Sequence, residues 1–262
     1  MLNASARSRS DHPPCRLLLF LRCYLALREI SFSKQAVVEH VIRHPDVMPQ
    51  NCRQKTKLGI MGLTKNAGER FFRCYEIHCV DPDQDSLFNL LNSMHSLNDK
   101  MKKEFGSDFL DLKEFLALKA LRNLFHHKEE LLHEVRTIAA QDIPPISSDL
   151  LFLCLVPRSL IEEAINEIGN KYRDQQEPMI REVLHWYGNV VNINPCIFNF
   201  AVHVYETLNE LNVHLDSDEY MTLEKSYMFE EQNGYSHFVT GKISCSVSDV
   251  ETVLAKVFAD VA

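Results

Sequence analysis

One hexapeptide of the 262-residue sequence gathers side chains that could do chemistry together: Arg122-Asn123-Leu124-Phe125-His126-His127. Histidine titrates near neutral pH, so it can take a proton from a hydroxyl or return one to a leaving group. Arginine stays charged and presents a planar fork to two phosphate oxygens, where it can stabilise charge building on a pentacoordinate phosphorus. Asparagine can orient the histidine or donate to the same phosphate. No carboxylate cluster that could hold two metal ions stands near, so the chemistry on offer is metal-free phosphodiester cleavage. The candidate site is Arg122, Asn123 and His127, and neither cofactor nor metal is expected.

The elements around this peptide read as helices. No proline occurs between Pro82 and Pro144, which suits long helical segments. Leu87, Leu90, Met94, Leu97, Met101 and Phe105 recur by threes and fours, the spacing of an amphipathic helix. Asp85 or Ser86 can cap its start, and Gly106 stands where a helix-ending glycine belongs. A second helix is expected from about Asp108 to Ala140, striped by Leu112, Leu116, Ala120, Leu124, Leu131, Val135 and Ile138. Phe115, Leu118, Leu121, Phe125 and Leu132 cover much of its other side, so it should be buried in a bundle or at an oligomer contact. The short loop at Gly106 implies an antiparallel pair. On the second helix Asn123 and His127 share the apolar stripe, with Arg122 about 100° to one side, next to Lys119. Polar groups there need partners, because burying them unpaired costs about 1–3 kcal/mol each.

R-N-L-F-H-H resembles the R-N-x-x-x-H form of the R-x(4–6)-H signature of HEPN-domain ribonucleases. Arg122, Asn123 and His127 match it, and His126 falls one residue short. Arg7/His12 and Arg73/His78 satisfy the loose pattern too, but only Arg122 is followed by asparagine. The resemblance covers about residues 81–140. It implies a helical bundle, a site formed at a two-fold dimer interface, and a metal-independent endoribonuclease, a toxin or antiviral defence enzyme with an antitoxin or regulatory partner. Members modified on tyrosine carry R-x4-H-x-Y; here Glu129 holds that place, so this modification is not expected. The same residues also fit a non-catalytic interaction protein, in which Asn123 and His127 are a hydrogen-bonded core pair that specifies dimer packing and Arg122 snorkels to solvent. A small-molecule-binding bundle is a third reading.

Other features bound the answer. Hydrophobic residues make up 45% and charged residues 24%, which supports a folded core and excludes a disordered chain or a small disulfide scaffold. With only 8 glycines there is no glycine-rich phosphate loop and no G-x-S-x-G elbow. The 8 cysteines form no C-x-x-C pair, as expected of reduced cytoplasmic thiols, and Cys74, His78 and Cys79 lack a second ligand pair at zinc spacing. Net charge is −8 overall, yet residues 1–73 carry 13 Lys/Arg against 5 Asp/Glu. That asymmetry fits a nucleic-acid contact, or a basic segment that packs on the acidic remainder or trails as a tail. The acidic balance disfavours strong nonspecific RNA affinity unless the basic third takes part.

The apolar run Leu17–Leu21 is broken by Arg22, too short for a signal peptide, and nothing approaches a membrane span. The chain therefore reads as cytoplasmic, with no membrane partner. The expected layout is all-α: a flexible basic leader over 1–30, a HEPN-like bundle over 31–141, and a helical region of unknown role over 149–262. A start codon downstream of Met1 is the alternative for the leader. Ser33–Arg43 reads as a short helix and Gln50–Gly68 as loop. Beyond the linker Asp142–Ser148, helices are expected near Pro157–Arg173, Pro178–Val190, Pro195–Leu211, Ser217–Glu231 and Ser246–Ala259. The strand-like stretches are Leu150–Val156 and Ser236–Ser244.

Overall fold

A computed structural model of the protein describes residues 62–128, 132, 134–142 and 146–245. The expected leader, the Ser33–Arg43 helix and the Ser246–Ala259 helix lie outside the described residues. Within them the chain is mostly helical, with a small antiparallel sheet in its C-terminal part, so the fold is not strictly all-α.

The first helix, α1 (Gly62–Val80), begins inside the stretch expected to be loop. Ala67, Phe71, Phe72, Tyr75 and His78 recur at helical spacing and are all buried, a period hidden by the basic residues between them. Gly68 lets α1 approach its neighbour: an added Cβ would stand 3.1 Å from Leu215 Cδ1 and 3.3 Å from Leu208 Cδ1. Helix α2 (Gln84–Phe105) follows the expected period, with Leu87, Leu90, Met94, Leu97 and Met101 in the core. Its start is capped two residues ahead of the earlier of the two expected positions. Asp83 accepts from the Ser86 backbone N–H while the Ser86 hydroxyl accepts from the Asp83 N–H, a reciprocal capping box. Gly106 ends the helix in the left-handed conformation, φ 69°, as its position implied. The main partner of α2 is α1 rather than the following helix.

That following helix, α3 (Lys113–His127), is half the expected length. It carries the hexapeptide on its last two turns. Phe115 through Leu118, Ala120, Leu121, Leu124 and Phe125 are buried around nearly its whole circumference. The cover comes from α2, α4 (Arg158–Asn166), α5 (Asn170–Val183) and α6 (Asn194–Glu210), so this apolar surface needs no second copy of the chain to bury it. The helix stops at Lys128, whose ammonium bridges Glu163 and Glu167. Arg136–Ala139, expected to be its last turn, instead form strand β1 on the edge of a sheet. Val135, Thr137 and Ile138 are β-branched, and a partner strand was available to reward that preference.

The partner is β3 (Phe152–Pro157), whose FLCLVP run is buried throughout and sits at the sheet centre. The order is β1-β3-β5-β4, with β4 (His185–Tyr187) and β5 (Val190–Asn192) forming a hairpin. This hairpin occupies the end of the expected Pro178–Val190 helix. Pro178 lies inside α5 rather than at its start, and Gly188, with φ 57°, makes the two-residue hairpin turn with Asn189. Helix α6 and helix α7 (Asp218–Gln232) fall as the sequence indicates. Of Ser236–Ser244, only β6 (Ile243–Ser244) is a strand, paired with β2 (Ser147–Ser148). Asp149 accepts from the N–H groups of Thr240 (2.7 Å) and Gly241 (3.1 Å), donors that a longer ladder would have used. The core is continuous across residues 142–148. Phe200 of α6 packs edge-on against Phe71 of α1 at 5.7 Å and lies 5.7 Å from Phe115 of α3.

Candidate functional site

Helices α1, α2 and α3 enclose an open cleft of about 480 Å³. One wall is the polar side of α2: its core positions leave Asn92, His95, Ser96 and Asp99 on the opposite face, three or four residues apart. Arg122 enters from α3 and Arg70 from α1.

The Arg122 guanidinium is half-buried and held by amides. Its Nε donates to Asn92 Oδ1 at 3.1 Å and its Nη1 to Asn123 Oδ1 at 3.4 Å. Two of its five N–H donors are thereby committed, which fixes the plane of the fork and leaves three for a ligand. Amide oxygens hold a guanidinium without neutralising it. Among the described residues no carboxylate pairs with Arg122, and Arg70 is held by the Ser96 hydroxyl at 2.5 Å. The cleft thus presents two arginines outside any described ion pair and Lys100, with the single carboxylate of Asp99 on its α2 wall, an excess of positive charge.

Asn123 lies beside Arg122 and is half-buried. His127 is placed differently from expectation. It is not enclosed in the apolar stripe but exposed at the end of α3, while Leu124 and Phe125 of the same final turn are fully buried. It does not line the cleft. His126 is exposed as well, its ring 5.6 Å from that of His127 at 62°. Arg122 and His126 are four residues apart and share a helix face, and although His126 does not line the cleft its charge acts on His95 there.

His95 was missed in the sequence. Its Nδ1 stands 3.5 Å from Asp99 Oδ2, one turn on along α2. Burial holds its imidazole below the ordinary histidine range; Arg122 pushes the same way, Asp99 opposes, and Lys119 and His126 add to the lowering. Four groups from α2 and α3 therefore act on one ring. The polar period 92, 95, 96, 99 opposite a clean apolar period was a signal that could have found it. That α3 would lay Arg122 across this stripe was not readable.

Cys74 and Cys79 are free thiols. His78 is fully buried against Phe152, with Nδ1 2.8 Å from Ser86 Oγ, and burial lowers its pKa to about 4. No group of three potential metal ligands occurs among the described residues. Of the basic third only residues 62–73 are described, and two of their cations pack on the acidic remainder. Lys65 pairs with Asp216, and Arg73 lies 3.6 Å from Glu219, both packing α1 on the acidic remainder, while Arg70 turns to the cleft. No helix among the described residues is long and apolar enough to cross a membrane. Compared with protein-family models, curated proteins and solved structures, the chain matches none of them.

Proposed function

We propose that the cleft binds a phosphodiester of RNA and that the protein is a metal-independent endoribonuclease, in keeping with the HEPN ribonucleases its motif resembles. The observation that carries this reading is the Arg122 guanidinium, held in plane by two amides, in no ion pair among the described residues, and lining an open cleft. Arg122 grips the non-bridging oxygens through its fork. His127, exposed one turn beyond, exchanges a proton with the reacting oxygens, and Asn123 keeps the guanidinium aligned. The nucleophile is the substrate's own 2′-hydroxyl. Its oxygen forms a bond to phosphorus, the bond to the 5′ oxygen breaks, and a 2′,3′-cyclic phosphate remains. Such an enzyme, acting on RNA in the cytoplasm as a toxin or defence nuclease, would need a neutralising or regulatory partner, and a homodimer could join two clefts.

The test uses purified protein on unstructured RNA and on matching DNA, with and without EDTA, and identifies the product ends. Chelator-resistant cleavage of RNA alone, with cyclic phosphate ends, is expected. A requirement for Mg²⁺ or equal action on DNA overturns the reading. Bacterial growth arrest by the native chain but not by His127→Ala is the matching result in cells.

A second reading has its own observation. The Arg122–Asn92 bond ties α3 to α2, the task of a structural residue in a non-catalytic interaction protein. If that is its role, Arg122→Ala lowers thermal stability and no RNA is cleaved by the native chain.

A further inference from the structure

We propose that His95, oriented by Asp99, is the general base of the same cleft and acts with Arg122 on a single phosphodiester. The proposal rests on the ribonuclease reading above and adds a catalytic residue outside the motif. It starts from a juxtaposition made by two helices. His95 and Asp99 lie one turn apart on α2 and line the cleft that Arg122 enters from α3. Asn92, three residues before His95 on the same helix, accepts the Arg122 Nε–H at 3.1 Å, so one helix face positions both the cation and the imidazole. The motif histidine His127 lies outside this cleft, which leaves the cleft's own proton acceptor to be supplied by another residue.

A carboxylate stands beside the ring. Asp99 Oδ2 stands 3.5 Å from Nδ1, close enough to favour the tautomer with hydrogen on Nδ1 and to leave the Nε2 lone pair available. Its side chain is about 25% exposed, reachable by substrate yet partly shielded from water. The charged groups facing it are Arg122, Lys119 and His126 on α3, Asp99 and Lys100 on α2, and Arg70 on α1. Burial first, and Arg122 after it, lower the pKa of the ring against the opposing pull of Asp99, which favours the neutral form a base needs.

The step balances without a cofactor. Nε2 of His95 takes the 2′-hydroxyl proton, the 2′ oxygen bonds to phosphorus, and the phosphorus–5′-oxygen bond breaks. The 5′ oxygen leaves with a proton from solvent water, and the His95 imidazolium returns its proton to the hydroxide so formed, which restores the ring. As the substrate phosphate accepts from Arg122, its negative charge favours the imidazolium that His95 becomes.

The experiment follows cleavage of unstructured RNA by the full chain in EDTA across pH 5–9, for native protein, His95→Ala and Asp99→Asn. His95→Ala should lose about 10²–10⁴-fold in rate, keep its RNA affinity, and recover activity when imidazole is added. Asp99 is exposed, so Asp99→Asn folds. It should lose less, and its acidic limb should move to lower pH, because Asp99 opposes the lowering of the His95 pKa. A native chain that cleaves RNA while His95→Ala remains within about threefold of it overturns the His95 assignment and leaves the ribonuclease reading standing. A loss in His95→Ala that imidazole does not restore, with an unmoved acidic limb in Asp99→Asn, also overturns it. A native chain inert on RNA removes both.

Discussion

Replacing Arg122 with lysine separates a phosphate clamp from a structural tie. In the folded protein the guanidinium spends Nε on Asn92 and Nη1 on Asn123, at 3.1 and 3.4 Å, and offers its remaining edge to the cleft. An ammonium keeps the charge but is a point donor on a flexible stem, so it cannot bond both amides and still present two parallel N–H groups. Losing one charge-assisted hydrogen bond to the transition state costs about 1.5–3 kcal/mol, or about 10- to 150-fold in rate. The folded state should suffer less. Arg122 is half-buried, so loss of a neutral-acceptor bond at its rim should cost about 1 kcal/mol. The assay measures RNA cleavage in EDTA beside a urea unfolding curve on the same preparation. Cleavage by Arg122→Lys within about threefold of native refutes the clamp. A stability loss above about 3 kcal/mol with cleavage falling only in proportion to unfolded protein refutes it too, and makes Arg122 a structural residue.

Other outcomes follow from the packing and titration of named groups. His127→Ala should cut cleavage about 10²–10⁴-fold while leaving the unfolding midpoint near native, since the ring is exposed. Acid should destabilise the fold through His78, whose pKa is held near 4 while an unfolded histidine titrates near 6.5. The unfolded state then binds the proton first, so stability is full above pH 6.5 and falls as pH drops toward 4, by about 3 kcal/mol in urea titrations across that window. A His78→Gln variant should flatten the slope. Phe200→Ala, removing the ring shared by α1, α3 and α6, should cost about 3–5 kcal/mol in the same measurement. Gly106→Ala should cost about 1 kcal/mol, because φ 69° strains any residue with a Cβ.

The sequence determined those features that depend on neighbours along the chain. Helix α2 was legible in its body and at its end because leucines and methionines at steps of three and four and a glycine stop are local facts, while its cap, Asp83, stands just ahead of the residues expected. Helices α6 and α7 and the buried strand β3 were legible for the same reason; the bond between Arg122 and Asn123 was not, since Asn123 reads in the sequence as a partner of His127 or of the phosphate. Tertiary structure decided whatever depended on a distant partner. Residues 135–139 carry an apolar spacing that suits a helix and a β-branched content that suits a strand, and only the presence of β3 beside them selected the strand. That choice ended α3 at His127 and exposed a histidine the periodicity had placed in the core. The same held for Tyr187-Gly188-Asn189-Val190, where a hairpin turn won once β5 could pair with β3. The cleft follows the same rule. Asn92, His95 and Asp99 were visible as the wet side of a helix, but the crossing of α2 and α3 alone lays Arg122 on that side. The angle is set by the leucines and phenylalanines packed between the helices, far along the chain from the residues they bring together.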